Sequence, residues 1–395
     1  MTTVAVITGS RAEYGLLRGV MEGIRASDRL ELQVIVTGMH LSPEFGDTWR
    51  LLERDGFHID RRVESLLSSD SAVGVAKSIG LGTIGFADAL DTLRPDLILL
   101  LGDRFELLAA ASAALVMRIP IAHVHGGETT EGAFDESIRH SLTKMSHLHF
   151  VAAAPYRDRV VQLGEDPNSV FNVGGLGIDA ARSTPLLSRP ELEDALGISL
   201  GARNLLVTFH PVTLDERSSA DQMAELLAAL HTLHDTTIVF TLANADPEGR
   251  ALNAQIQEFV VTHPLSHAFG TLGATRYFSC LRHMDGVVGN SSSGLLEAPF
   301  FRTGTVNIGD RQAGRLKAAS VIDCQPERAQ ILAAIAELRS PEFQYRLDGL
   351  SPYGAGGASE LIVKRLEAVD PQRLVRKRFH DQPGIFPDGA GSKNE

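Results

Sequence analysis

Short apolar runs alternate with longer helical patterns along the first part of the chain. A continuous apolar run such as Leu97–Leu101 is typical of a strand buried on both faces of a parallel sheet. Strands that alternate with helices indicate such a sheet with helices on both sides. The predicted strands are Val4–Ile7, Leu32–Val36, Leu97–Leu101, Ile119–Val124, Leu148–Ala152 and Val170–Val173, and the predicted helices end near Ala26 or span 49–55, 71–93, 105–117, 135–145 and 156–163.

The alternation restarts after a polar, proline-bearing stretch at Pro185–Pro190. We therefore predict an α/β protein of two doubly wound, Rossmann-like domains that face a cleft, with residues 1–184 in the first, 185–370 in the second and a flexible tail at 371–395. The second set of predicted strands is 205–209, 237–242, 266–269, 285–289, 305–308 and 320–323, and its helices are 220–234, 249–262, 275–280, 294–300, 326–338 and 358–369.

Composition narrows the class of protein. The chain has 395 residues with a net charge of −12, which argues against a nucleic-acid partner. Two cysteines provide neither a disulfide framework nor a cysteine zinc site, and a reduced cytoplasmic compartment is expected. No basic and apolar leader or long apolar run is seen, so we expect no membrane association.

Three carboxyl groups follow two consecutive predicted strands. Asp103 and Glu128 come directly after the strands, and Asp135 begins the next helix. Ligands of open α/β sheets bind beyond the carboxyl ends of strands, and grouped carboxylates separate their pKa values as acid and base chemistry requires. The alternative is that these groups simply form ion pairs with Arg104 or Arg139, and both roles are compatible.

Other residues indicate an anion-binding site. Arg11 lies in the first strand-to-helix turn, and the stretch 290–294 is a serine-rich turn before a helix, with Glu297 one turn later and Arg311 after the next strand. Backbone N–H groups in such turns bind phosphate, although an exposed arginine and an N-cap serine cluster are the plain alternatives. His210 ends the first strand of the second domain and can act as an acid, a base or a hydrogen-bond donor to phosphate. The plain alternative is a capping or packed histidine.

Three other patterns resemble known binding motifs but do not predict a binding site here. The G-x-G-x-x-G match at 80–85 lies in a helical stretch and follows no strand, so a dinucleotide site is not expected. The pairs His123/His125 and His147/His149 have strand spacing, but packed, hydrogen-bonded histidines explain them better than a metal site. We predict no metal and no cofactor.

The residues alone predict a two-domain enzyme that acts on a nucleotide-linked small molecule in the interdomain cleft. Beyond this, the motifs resemble the hydrolysing UDP-N-acetylglucosamine 2-epimerases, and the resemblance is collinear over about residues 4–370. The motifs are TGSRAEYG (8–15), VTGMH (36–40), LGDRFE (101–106), HVHGGE (123–128), DESIRHSLTKMSHLH (135–149), FHPVTL (209–214), GNSSSGLLE (289–297), NIGDRQAGR (307–315) and ASVID (319–323).

The resemblance implies a glycosyltransferase-B fold and the conversion of UDP-GlcNAc and water to ManNAc and UDP, a step of sialic acid biosynthesis. The implied route is elimination of UDP to 2-acetamidoglucal followed by hydration. By motif, Asp103, Glu128 and Asp135 would carry the acid and base roles, and His210 would assist departure of the diphosphate. The substrate-binding residues would be Arg11, Arg104, Arg139, Ser291, Ser292, Glu297 and Arg311.

The resemblance also suggests a homodimer formed through first-domain helices. It leaves other substrates open: a related enzyme hydrolyses UDP-N,N′-diacetylbacillosamine, whose sugar differs around C4 and C6. A glycosyltransferase would share the fold without needing the carboxylates. A non-catalytic nucleotide-sugar sensor would retain the serine turn and could lose Asp103 or Glu128, both of which are present.

Overall fold

The first domain is built on a parallel sheet. The computed structural model describes residues 1–67, 71–130, 134–212, 217–242 and 249–381. In this part of the chain, seven strands form the first sheet in the order β3-β2-β1-β4-β5-β6-β7. The strands are β1 (Thr2–Thr8), β2 (Leu30–Thr37), β3 (Arg61–Val63), β4 (Leu97–Leu101), β5 (Ile121–Val124), β6 (Leu148–Val151) and β7 (Val170–Asn172).

Helices cover both faces of this sheet. Alternate residues of β1 point to opposite sides, so Val4 packs in one apolar core and Ala5 in the other. This two-sided burial explains why the strands are continuous apolar runs in the sequence. The helices are α1 (Arg11–Ala26), α2 (Trp49–Arg54), α3 (Ala72–Leu93), α4 (Phe105–Val116), α5 (Asp135–Met145), α6 (Ala154–Gln162) and α7 (Leu176–Ser183), with 3-10 turns at Gly38–Leu41, Pro43–Phe45 and Pro167–Ser169.

The second domain repeats the arrangement. Six strands of the described chain form its sheet, all parallel, in the order β10-β9-β8-β11-β12-β13. The strands are β8 (Arg203–Thr208), β9 (Thr236–Thr241), β10 (Ser266–Phe269), β11 (Gly286–Gly289), β12 (Gly304–Ile308) and β13 (Val321–Cys324). Its helices are α8 (Arg189–Leu196), α9 (Ser219–Leu230), α10 (Gly249–Thr262), α11 (Gly273–His283), α12 (Ser293–Leu296), α13 (Arg328–Leu338) and α14 (Pro341–Tyr345), with a 3-10 turn at Ala298–Phe301. Two further helices follow in the chain, α15 (Ala358–Glu367) and α16 (Pro371–Leu374).

The predicted fold class is confirmed: both domains are doubly wound α/β units. In the first sheet the strand order reverses between β1 and β4, and in the second between β8 and β11. Such reversals open a crevice at the carboxyl ends of the two strands, where ligands of this fold class bind. The crevices are bordered by Gly9 and Gly102 in the first domain and by Phe209 and Asn290 in the second.

The C-terminal helices return to the first domain. Ala358, Ile362 and Leu366 of α15 are buried in the same core as α1, whereas the sequence placed all residues to 370 in the second domain. Residues 371–381 of the expected tail lie against the first domain through Lys377 and His380, and the flexibility of this segment stays a prediction. Residues 382–395 of the expected tail lie outside the described residues.

Among the described helices, α3 has the length and apolar composition of a bilayer-spanning segment. Its Phe86, Ala89 and Leu90 are buried in the first-domain core, where α3 packs along α4. These buried residues of α3 therefore serve packing between helices on that side of the sheet.

Candidate active site

A cavity opens between the two domains at the crevices of both sheets. It brings together groups that are far apart in the sequence, including Asp103 and Glu128 from the first domain and Glu297 and Arg315 from the second. The lining residues are Leu16, Gly102, Asp103, His125, Glu128, Arg139, Gly175, Gly177, Ile178, Ser292, Leu296, Glu297, Arg315 and Tyr353.

Arg139 organises the first-domain wall of this cavity. It lies on α5, its side chain is buried, and one guanidinium nitrogen donates to the carboxylate of Asp103. The other nitrogen donates to the backbone carbonyl of Glu128 at 2.9 Å and to the carboxylate of Glu136 at 2.7 Å. Burial alone would lower the pKa of Arg139, but the charges of these carboxylates raise it. The guanidinium therefore stays charged and fixes the positions of two strand-end turns.

The carboxylate of Glu128 is held by side chains from both domains. One oxygen lies 3.1 Å from Nδ1 of His125, and the other lies 3.4 Å from a guanidinium nitrogen of Arg315. Burial works to raise the pKa of Glu128, but the charge of Arg315 and the contact with His125 outweigh it and hold this pKa at about 2. Glu128 is consequently ionised at neutral pH although it is 2% exposed.

The His125-Gly126-Gly127-Glu128 turn requires its glycines. His125 has a left-handed backbone with φ of 65°, and Gly127 follows at 77°. A Cβ on Gly127 would lie 2.4 Å from the carbonyl oxygen of Tyr156 in α6. Only glycine therefore lets the turn pack against α6 and present the carboxylate of Glu128 to the cavity.

Asn290 connects the second-domain residues of the site. Its side-chain oxygen accepts from the backbone N–H of His210 at 2.7 Å, and its side-chain amide donates to the carbonyl of His210 at 2.8 Å. The backbone carbonyl of Asn290 accepts from Arg311 at 3.1 Å and from Gln312 at 2.9 Å. These bonds hold three segments of the second sheet together directly beside Ser292, which lines the cavity.

Glu297 is a buried acid on the second-domain wall. Burial raises its pKa to about 7, although a hydrogen bond from Ser293 acts in the opposite direction. A Cβ on Gly177 would lie 2.1 Å from Oε1 of Glu297, so α7 must have glycine here for the carboxyl to fit. A carboxyl with this pKa can both donate and accept hydrogen bonds near neutral pH.

Arg11 lies where the second domain approaches the start of α1. A Cβ on Gly273 would lie 3.7 Å from a guanidinium nitrogen of Arg11. Burial, and then the like charge of Arg276, lower the pKa of Arg11. Two guanidinium groups that are close enough to repel each other favour an anion nearby.

The structure places the predicted residues in three groups. Asp103, Glu128, Arg139, Ser292 and Glu297 line the cavity, and His210, Ser291 and Arg311 belong to the adjoining Asn290 turn. Arg104 instead directs its Nε to the buried Glu106 at 2.8 Å, and Asp135 begins α5 but is not among the described lining residues. Thr213 and Leu214 of the FHPVTL motif lie outside the described residues.

Three residues of the site were not predicted. His125 was considered only as half of a metal pair, although the HGGE motif contains it. Arg315 ends the NIGDRQAGR motif, and Tyr353 precedes α15. The sequence around each residue does not indicate that its side chain meets the first domain. The phenol of Tyr353 donates to the carbonyl of Leu316 at 3.0 Å and lies 3.1 Å from that of Tyr156.

The buried His123 supports the turn that follows β4. Nε2 of His123 lies 2.7 Å from the carbonyl oxygen of Gly102, and Nδ1 lies 3.3 Å from the hydroxyl of Thr143. Burial lowers the pKa of His123 to about 4, so it is neutral in the folded protein. Across the described ranges, no cluster of three or more His, Cys, Asp or Glu side chains is arranged to bind a metal ion.

Comparison with known proteins identifies the family. The family model described as UDP-N-acetylglucosamine 2-epimerase matches residues 22–367. The chain is 40% identical over 383 residues to the GDP/UDP-N,N′-diacetylbacillosamine 2-epimerase (hydrolyzing) of Campylobacter jejuni, covering 96% of this chain and 98% of that protein. It is 38% identical to the polysialic acid biosynthesis protein P7 of Escherichia coli, covering 97% and 98%. The fold is similar to UDP-GlcNAc 2-epimerase from Neisseria meningitidis bound to UDP-GlcNAc, with a TM-score of 0.80 and 17% identity over 93% of this chain and 100% of that one. The chain belongs to the UDP-N-acetylglucosamine 2-epimerase family.

Proposed function

We propose that this enzyme is a hydrolysing UDP-N-acetylglucosamine 2-epimerase that converts UDP-GlcNAc and water to ManNAc and UDP for sialic acid biosynthesis. The observation that carries the proposal is the cavity between the domains, in which Glu128 is ionised beside Asp103 while Ser292 and Glu297 face them. The family, and the similarity to an E. coli protein named for polysialic acid biosynthesis, support it.

The proposed reaction needs a base and a stabilised leaving group. In the first step a base removes the proton from C2, the C1–C2 double bond forms, and the C1–O bond breaks to release UDP. In the second step water adds to C1 of the glycal and a proton adds to C2 from the opposite face, which yields ManNAc. C2–H is a weak acid, so each proton transfer requires a carboxyl group placed close to C2.

Asp103 and Glu128 would carry these proton transfers from the first-domain wall. Glu128 is ionised at neutral pH, so it can also stabilise positive charge that develops at C1 as the bond to UDP breaks. Arg139 would act through both groups, since it binds the side chain of one and the backbone of the other. Asp135, one turn before Arg139 on α5, is the proposed third acid or base group.

The second domain would bind UDP. Ser291 and Ser292 would offer hydroxyl and backbone donors to the phosphates, and Glu297 would accept hydrogen bonds from the ribose hydroxyls. His210 lies beside this turn through its two bonds to Asn290 and would assist departure of the diphosphate. Further positive charge would come from Arg11 and Arg311, whereas the predicted Arg104 is paired with Glu106.

One alternative substrate has a specific observation in its favour. The C. jejuni relative, named for UDP-N,N′-diacetylbacillosamine, is 40% identical over almost the whole chain. The same elimination and hydration would apply, because the two sugars differ around C4 and C6 and not at C1 or C2. The alternative is therefore a different fit of the sugar in the same catalytic site.

Proton NMR in heavy water tests both substrates. With UDP-GlcNAc we expect free UDP and ManNAc that carries deuterium at C2. Formation of UDP-ManNAc without release of UDP would contradict the hydrolytic reaction. Turnover of UDP-N,N′-diacetylbacillosamine alone would replace the proposed substrate, and inertness toward both would contradict the function.

We also propose that the enzyme is a homodimer that pairs through α3 and α4. The exposed face of α3 carries Val73, Leu81 and Ile84, which are 63%, 45% and 66% exposed, and Val116 at the end of α4 is 82% exposed. An apolar face of this kind on two packed helices fits a second copy of the chain.

Light scattering should give the mass of a dimer for the wild type, and Ile84→Lys should shift this mass to that of the monomer. A monomeric wild type would contradict this proposal.

A further inference from the structure

The segment that follows α16 reaches the far end of the helix that carries Arg139. Phe379 packs on Gly164, where a Cβ would lie 2.3 Å from its ring, and the backbone N–H of His380 donates to the carbonyl of Gly164 at 2.9 Å. The ammonium of Lys144, in the last turn of α5, lies 4.8 Å from the centre of the Phe379 ring. The segment is thus seated between the end of α5 and the loop that follows α6.

Lys377 donates hydrogen bonds to backbone carbonyl oxygens at the C-terminal end of α5. Its ammonium donates to the carbonyl oxygens of Lys144 at 2.7 Å and Ser146 at 2.6 Å, and lies 3.5 Å from that of Thr143. The last carbonyls of a helix have no partners within the helix and carry the negative end of its dipole. A cation delivered from a distant part of the chain therefore caps this helix.

A buried carboxylate fixes Lys377 in this position. Glu165 is 1% exposed, and one of its oxygens lies 2.6 Å from the ammonium of Lys377 while the other lies 2.6 Å from that of Lys144. Nε2 of His149 approaches the same carboxylate at 3.0 Å. Burial works to raise the pKa of Glu165, but these three donors hold it at about 2. Loss of Lys377 would remove one of the two lysine charges that compensate this buried charge.

The C-terminal end of α5 is connected to the first-domain wall of the cavity by two sets of contacts. Along the helix, Arg139 precedes Thr143 by one turn and holds the Asp103 carboxylate and the Glu128 backbone. Across the sheet, the hydroxyl of Thr143 contacts His123, which contacts the carbonyl of Gly102 directly before Asp103. A displacement of the last turn of α5 would therefore move both catalytic carboxylates.

We propose that the C-terminal segment 375–381 positions the catalytic helix α5, with Lys377 as its positioning residue. In its kinetic part the proposal rests on the proposed function. In the part of the chain that the structure describes, the contacts given above for this segment are all with the first domain, so it should affect catalysis rather than UDP binding.

Steady-state kinetics with UDP-GlcNAc test the proposal. Lys377→Met should lower kcat by about tenfold or more, because small misplacements of catalytic groups are costly, and leave KM and the Kd for UDP within about twofold. Arg378→Met removes the same charge from an exposed neighbour and should retain wild-type kcat. Phe379→Ala loosens the segment without leaving a buried charge and should change kcat in the same direction as Lys377→Met.

Truncation after Asp381 should retain activity, and truncation after Val375 should reproduce Lys377→Met. Wild-type kcat in both Lys377→Met and Phe379→Ala would overturn the proposal, as would equal losses in kcat and UDP affinity.

Hydrogen exchange provides a readout that does not depend on the substrate. Amides in the last turn of α5 should exchange faster in Lys377→Met and Phe379→Ala than in wild type and in Arg378→Met. Unchanged exchange would overturn the proposal. If the wild type turned over neither nucleotide sugar, the proposed function would fail, and hydrogen exchange would still decide whether the segment holds α5.

Discussion

Replacement of Arg315 by methionine isolates the contribution of the second domain to the charge of Glu128. The guanidinium of Arg315 lies 3.4 Å from the carboxylate and also donates to the backbone carbonyl of Thr129 at 3.1 Å. Methionine keeps much of the side-chain volume and removes the charge. The buried carboxylate would then keep its contact with His125 and lose the charge of Arg315.

The magnitude follows from the pKa of Glu128. A decrease from the ordinary value of 4.5 to about 2 corresponds to stabilisation of the ionised form by roughly 3 kcal/mol. This is the excess of attraction over the cost of burial, because burial acts in the opposite direction. The Coulomb attraction of Arg315 at 3.4 Å is on the order of 5 kcal/mol at an effective dielectric constant near 20. Loss of this attraction should therefore raise the pKa of Glu128 above 4.5.

The assay is the ratio of kcat/KM of Arg315→Met to that of wild type between pH 8 and pH 5. A raised pKa means that Glu128 is protonated at higher pH, so the ratio should fall as the pH decreases, and groups common to both proteins cancel. Lys317 lies two residues after Arg315 and is paired with Asp323. Lys317→Met removes this neighbouring charge and should give a ratio that does not change with pH. A ratio for Arg315→Met that does not change with pH would refute the assigned electrostatic role of Arg315.

Three further predictions concern individual contacts. Asp103→Asn and Glu128→Gln should each abolish turnover while calorimetry still detects UDP binding, and near-native turnover of either variant would remove that residue from the acid and base roles. Gly177→Ala should raise the Kd for UDP, because its Cβ would lie 2.1 Å from Glu297; an unchanged Kd would place the ribose elsewhere. Tyr353→Phe should lower the free energy of unfolding by about 1 kcal/mol through loss of a buried hydrogen bond, and unaltered denaturant midpoints would contradict this.

The sequence predicted most of the fold because burial on both faces leaves a strong local signal. The predicted strand at Leu97–Leu101 coincides with β4, and the predicted helix at 71–93 coincides with α3 to within one residue. The strand β3 was missed because its three residues, Arg61–Val63, form an edge with two exposed arginines and no apolar run. The helix α7 was missed because two glycines, Gly174 and Gly175, immediately precede it in a stretch that suggested a loop.

The candidate site was predictable only where position in the fold determines it. Asp103 and Glu128 end adjacent strands of one sheet, so the strand pattern brings them together. Arg104 has the same local setting but pairs with Glu106, a choice made by side-chain direction that the sequence pattern does not show. Arg315 meets Glu128 only through the orientation of one domain on the other, which has no signal in either segment.

The pKa of Glu128 depends on contact between the domains. His125 belongs to the first domain and Arg315 to the second, so the carboxylate of Glu128 has both neighbours only when the domains are together. The same contact is supported by the bond from Arg315 to Thr129 and by the bond between Leu316 and the phenol of Tyr156. A nucleotide sugar that spans the cleft would place UDP against the second domain and its sugar against the first. A ligand bound in this way would stabilise the domain contact that lowers the pKa of Glu128.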